Sequence, residues 1–186
     1  MMVAGTTFFA RRIYAKFTAD KPLRLGIQNH ARDCARLRAA AYRNRHYATI
    51  QKIELDIVRS KLAEWAVHHW LKTIRPNVSQ PDMNLYTDAQ MAELKHAPDL
   101  VNDTDRFGVK SCKMSDKDPS WVFQKSDPLH DNVYFFCRVD EECGHGIARL
   151  SWMVTPDIIK DLAAPLRNKA PSKFAVYEKH LLVSKS

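Results

Sequence analysis

Between Ile50 and Ile74 the chain reads as a helix that must keep two of its sides out of water. At about 100° per residue, Ile50, Ile53, Ile57 and Leu71 share one narrow sector, while Leu55, Val58, Leu62, Trp65 and Ala66 lie on the opposite side. A helix that is apolar on two sides is packed on both, so the segment predicts an internal helix of a layered domain, ended ahead of Pro76. Glu64 falls in the first sector, flanked by Lys61 and His68. A carboxylate drawn inward requires a cation, a donor or a proton. A salt bridge to Lys61 and a metal ion are the two competing partners.

Downstream the pattern changes from helical to extended. PDMNLYT (81–87) reads as a first strand, and APDLV and RFGVKSC read as two arms of a hairpin with NDTD as the reversal, where amide and carboxylate side chains tolerate the turn. SWVFQ (120–124) is a short apolar element. NVYFFCRV (132–139), aromatic and β-branched, is the clearest strand, and IARLSWMVT follows it as another. PDIIKDLAAPL reads as a closing helix with Pro156 in its first turn. Upstream, Asn29 is suited to cap a helix from His30 to Tyr47. The order predicts an α/β or α+β domain whose mixed β-sheet is flanked by helices.

Charge divides the chain unevenly. The net charge is +8; residues 1–50 carry ten Lys or Arg against Asp20 and Asp33, which leaves nineteen of each sign in residues 51–186. The whole excess therefore belongs to the first quarter. Arg32, Arg36, Arg38, Arg43 and Arg45 line the predicted basic helix, with Tyr42, His46 and Tyr47 interspersed, a composition suited to phosphate oxygens and stacked bases. A polyanion, and DNA first among polyanions, is the expected partner. A solvated basic helix is the plain alternative.

Composition excludes several classes. With 186 residues, one domain suffices to bury a core, and no apolar run approaches the roughly 20 residues a bilayer span needs, so no membrane partner is expected. Four cysteines without a compact framework suit reduced thiols and a cytoplasmic location. Five glycines and no Gly-rich phosphate loop disfavour nucleotide-dependent chemistry.

If the hairpin forms, Asp99 and Lys110 approach one another on adjacent strands, and strand alternation puts Gly108 and Lys110 on one face. Glu64 on the preceding helix is placed to reach the same spot. Carboxylates holding a divalent cation, with a lysine beside an attacking water, are what phosphodiester hydrolysis near neutral pH requires. A cross-strand ion pair is the bland reading of Asp99 and Lys110.

Glu64 on a helix, Pro98-Asp99, Val109-Lys110 after a short hairpin, Trp121 to Gln124 and then an aromatic strand resemble the PD-(D/E)XK nuclease superfamily, the restriction-endonuclease-like fold. The resemblance spans roughly residues 50–160. It implies a nuclease core over residues 49–186 preceded by a basic helical extension over 1–48, and Mg²⁺ or Mn²⁺ as cofactor. Asp99 and Glu64 become metal ligands and Lys110 the catalytic lysine. DNA, double-stranded in preference, becomes the substrate of an endonuclease of phage or mobile-element type, and cutting two strands favours a homodimer. The family's acid two residues before the lysine is replaced here by Gly108, so a relocated acid at Asp116, Asp118 or Asp82, or the amide of Gln124, is expected instead. Pro81-Asp82 also competes with Pro98-Asp99 for the metal-bearing aspartate. The alternative from another class is a catalytically inactive DNA-binding protein that retains the fold.

Overall fold

In the computed structural model, which describes residues 9–42, 49–86, 90, 97–126, 128–140, 145–166 and 172–183, the long helix begins where its cap dictates. Thr49 is extended (φ −69°, ψ 156°), and its hydroxyl accepts the Lys52 N–H at 3.2 Å, satisfying one of the donors a helix start leaves open. Helix α2 then runs Ile50–Lys72 and buries Val58, Leu62, Ala66 and Leu71. Its predecessor α1 (Lys21–Tyr42) starts earlier than predicted, because Asp20 rather than Asn29 supplies the cap: Asp20 Oδ1 accepts the Leu23 N–H at 2.9 Å. Ahead of both helices stands a strand the sequence reading did not contain, β1 (Ala10–Thr18).

The remaining elements are β2 (Leu100–Asn102), β3 (Asp105–Lys113), β4 (Ser120–Gln124), β5 (Val133–Val139), β6 (Ile147–Val154), α3 (Pro156–Asp161), β7 (Ala164–Pro165), β8 (Lys173–Tyr177) and α4 (Glu178–Val183). Five strands form a mixed sheet in the order β1-β6-β5-β3-β2, in which β3 and β5 run parallel and the other neighbours antiparallel. A second sheet, β4-β8-β7, is antiparallel. The protein is thus mixed α/β with a mixed sheet flanked by helices, as expected. The boundary expected at residue 48 does not separate the described chain, for β1 pairs with β6 along the main sheet and Ile27 and Ala31 of α1 lie in the same core as α2.

Strand β5 shows how the layers are held. Phe135, Cys137 and Val139 face the core shared with α1 and α2, whereas Tyr134 and Phe136 face a second core with Trp121 and Phe123 of β4. A central strand covered on both faces carries apolar residues on both, as Tyr134 to Cys137 do here, and that run makes the strand legible. Trp121 stacks on Phe136 at 4.6 Å between ring centroids, tying the small sheet to the large one. Residues 81–86, expected as a strand, instead form irregular chain in which Asp82 accepts the Asn84 N–H. The expected closing helix stops at Asp161, and β7, β8 and α4 complete the second layer.

Candidate active site

The hairpin forms as the turn residues demand. Asn102 pairs with Asp105 across a two-residue reversal in which Asp103 takes φ +52°, a conformation Asp tolerates better than most side chains. Asp99 stands just before β2, beside the middle of β3. Its Oδ2 accepts the Val109 N–H at 2.6 Å, so the carboxylate is pinned against the strand that carries Lys110. Burial raises the Asp99 carboxyl above its ordinary value; the Val109 N–H, Lys110 and Lys61 oppose that rise, and Asp131 adds to it.

Glu64 is 3 % exposed. Lys61 Nζ lies 2.7 Å from its Oε2 and the Ser60 hydroxyl donates to Oε1 at 3.2 Å, so the salt bridge weighed as the plain alternative is present. Burial, followed by the charge of Asp99, nevertheless pushes Glu64 up to about 7, and Lys61 and Ser60 only partly offset this. The two carboxyls therefore sense one another, with one lysine acting on both.

The residue that sequence reasoning missed is Asp131. A Cβ built on Gly108 would fall against the Tyr134 ring, 2.5 Å from Cδ1, and 2.7 Å from Asp131 Oδ2. The space that a side chain at position 108 would fill is thus taken by the carboxylate of Asp131 and the ring of Tyr134. Asn132 fixes this arrangement. Its N–H donates to the Arg106 carbonyl at 2.9 Å, and its side-chain oxygen accepts the Arg106 N–H at 2.7 Å, locking the start of β5 to β3. Leu129, buried with φ +50°, turns the chain back toward β3 two residues before Asp131, a sparsely populated conformation for this residue type. Arg106 Nε stands 3.4 Å from Asp131 Oδ1. The sequence signal was Asp131-Asn132 at the threshold of the aromatic strand, opposite a strand glycine.

Lys110 projects on the Gly108 face, with Nζ 5.2 Å from the centroid of Phe123. Gln124 is exposed, and its neighbours Trp121 and Phe123 are the inward residues of β4, so its amide points away from the core. Asp82 is exposed as well. Burial would raise its carboxyl, but hydrogen bonds from Tyr86 and Asn84 and the charges of Lys61 and His30 hold it below the usual value. Of the other acids considered for relocation, Asp116 accepts the Lys113 N–H at 3.3 Å and Asp118 lies 3.5 Å from Lys179, both beyond the far end of β3. Of these acids, Asp131 alone lies against Gly108, whereas Asp116 and Asp118 lie at the other end of the strand.

Of the basic helix, Arg32 and Arg36 are exposed and, among the described residues, make long pairs, 3.9 Å to Glu54 and 3.8 Å to Asp33, of the kind that contributes little in water. The side chains of Arg38, Arg43 and Arg45 lie outside the described residues. Among the described residues no three His, Cys, Asp or Glu side chains are grouped so as to enclose a metal ion by themselves. No helix is long and apolar enough to cross a membrane, again among the described residues. No protein-family model matches the chain, and neither a curated protein nor a solved structure gives a significant match.

Proposed function

We propose that the protein is a metal-dependent nuclease of the restriction-endonuclease-like kind, hydrolysing DNA phosphodiester bonds at Asp99, Asp131 and Lys110. One observation carries the reading. The carboxylate of Asp131 fills the space beside Gly108 in which the family's missing acid belongs, on the strand face of Lys110 and within electrostatic reach of Asp99. The donor set suits Mg²⁺ or Mn²⁺: hard carboxylate oxygens, with the Asp99 carboxyl raised first by burial and further by the charge of Asp131. Mg²⁺ is commonly held by one or two carboxylates with water completing its shell, so Asp99 and Asp131 suffice and Glu64 supports them through Lys61. When bound, the ion lowers the pKa of a water and neutralises charge on the phosphate. Lys110 orients that water, and the Val109 N–H keeps Asp99 from rotating away.

The test is nicking of supercoiled plasmid with Mn²⁺ or Mg²⁺, alongside calorimetric titration of the metal. Asp99→Ala and Asp131→Ala are expected to lose both metal binding and cleavage, whereas Lys110→Ala retains metal and loses roughly 10²- to 10⁴-fold in rate. The Lys61–Glu64 pair favours a second reading, a DNA-binding protein without catalysis, in which an internal cation does the metal's work. Wild type that binds DNA but neither takes up metal nor nicks establishes that reading and overturns the first.

A further inference from the structure

At the opposite edge of the main sheet lies an open cleft of about 540 Å³, formed where β1 and β6 meet α4 and the end of β3. Ile13, Ala15 and Phe17 of β1 pack toward the helices, so Arg12, Tyr14 and Lys16 stand on the other face, away from α1 and its arginines. Two register shifts shape the cleft, one in β1 between Arg12 and Ala15 and one between β5 and β6 after Phe136, which leaves Ser151 at its wall. Bulges of this kind bend strands and re-aim side chains.

The lining is strongly cationic. Arg12, Lys16, Arg138 and Arg149 face a single acid, Glu178. Arg138 is already committed: its Nη2 donates to the Met114 and Asp116 carbonyls at 2.8 and 2.9 Å, and its Nη1 lies 3.9 Å from Glu178. Glu178 in turn accepts the Trp152 indole N–H at 3.1 Å. Arg12, Lys16 and Arg149 have no carboxylate partner among the described residues. Beside them Tyr14 is 83 % exposed, with the Arg12 guanidinium 4.9 Å from its ring centroid and 5.8 Å from that of Trp152. An aromatic ring left in water among uncompensated cations is the combination by which proteins hold single-stranded nucleic acid, phosphates on the cations and a base on the ring.

We propose that this cleft binds single-stranded nucleic acid, with Arg12, Lys16 and Arg149 on backbone phosphates and Tyr14 stacked under a base. The inference does not rest on the metal site, because none of Asp99, Lys110 and Asp131 lines the cleft. An acidic protein segment would satisfy the cations but leave Tyr14 without a role.

Fluorescence anisotropy without divalent metal, using a labelled oligothymidylate and a duplex of equal length, tests it. The triple variant Arg12→Ala/Lys16→Ala/Arg149→Ala is expected to bind the single strand at least ten-fold more weakly, with a salt slope shallower by about two, as three lost phosphate contacts imply. Tyr14→Ala should lose about five-fold or more on the single strand and much less on the duplex. Arg12→Lys/Arg149→Lys, which keeps the charge, should keep the slope and thereby separates lost contacts from a damaged fold. Unchanged affinity and slope in the triple variant overturn the proposal, as does competition by polyglutamate equal to that of the oligonucleotide. Plasmid nicking reads the metal site alone, so either proposal can fail without the other.

Discussion

Gly108 is the residue on which the site turns, and its role is to be absent. Any side chain there meets the Tyr134 ring and the Asp131 carboxylate at distances no Cβ occupies. Gly108→Ala is therefore expected to destabilise the fold by about 1–3 kcal/mol, the usual scale of overpacking, and to displace Asp131, weakening Mn²⁺ binding in a calorimetric titration. Unchanged melting and metal affinity would mean that the space is not filled as described. Glu64 gives a second handle through pH. Its native value, about 7, lies above the 4.5 of an ordinary glutamate, so the native state holds the proton more tightly than the unfolded chain. Its stabilising contribution is complete below 4.5 and is lost as pH rises through about 7. In metal-free protein, urea unfolding should show wild type losing stability relative to Glu64→Gln between about pH 5 and pH 8. A constant difference across that range would show that Lys61 holds Glu64 ionised throughout. Of these residues, Glu64, Asp99 and Lys110 were legible in the sequence from the inward face of a helix and the spacing of a hairpin. Asp131 was not, because its proximity to Gly108 comes from pairing between strands distant in the chain.

At the level of elements, local signals and tertiary pairing divide the fold between them. Helix α2 is fixed by its cap as much as by its apolar sectors, and Thr49→Ala is expected to cost about 1 kcal/mol, measured as a lower urea midpoint with an unchanged slope. A variant indistinguishable from wild type would place the stability of α2 wholly in its packing. Periodicity revealed α2, and aromatic density revealed β5. It did not reveal β1, whose outward positions Arg12 and Lys16 are charged, although Ile13, Ala15 and Phe17 alternate with them as an edge strand requires. The reverse error came at 81–86, where apolar residues suggest a strand. The chain already has another partner for that edge, since Ser79 donates its N–H to the Val101 carbonyl at 2.7 Å and its hydroxyl accepts the Val101 N–H at 2.9 Å. An edge strand closed in this way is guarded against pairing with other chains.

Across the whole molecule, the main sheet separates its charges. Glu64, Asp99 and Asp131 lie with Lys61, Arg106 and Lys110 where β2 and β3 border α2, whereas cations prevail around β1 and β6, with the two helices on one face and the small sheet on the other. On the proposed function, a polyanion would meet the cationic edge first, where the field is attractive. The basic first quarter of the sequence is therefore not an appendage, for part of it is woven into the sheet as β1.

The one parallel pairing among the described strands, β3 with β5, has one more consequence. Because both strands run the same way, their beginnings lie side by side, Phe107 opposite Val133 and Gly108 opposite Tyr134. A negative charge mounted at the threshold of one strand occupies the same volume as a charge mounted early in its neighbour. Two residues far apart in the chain thus share one small volume, and a side chain on either strand excludes its counterpart on the other.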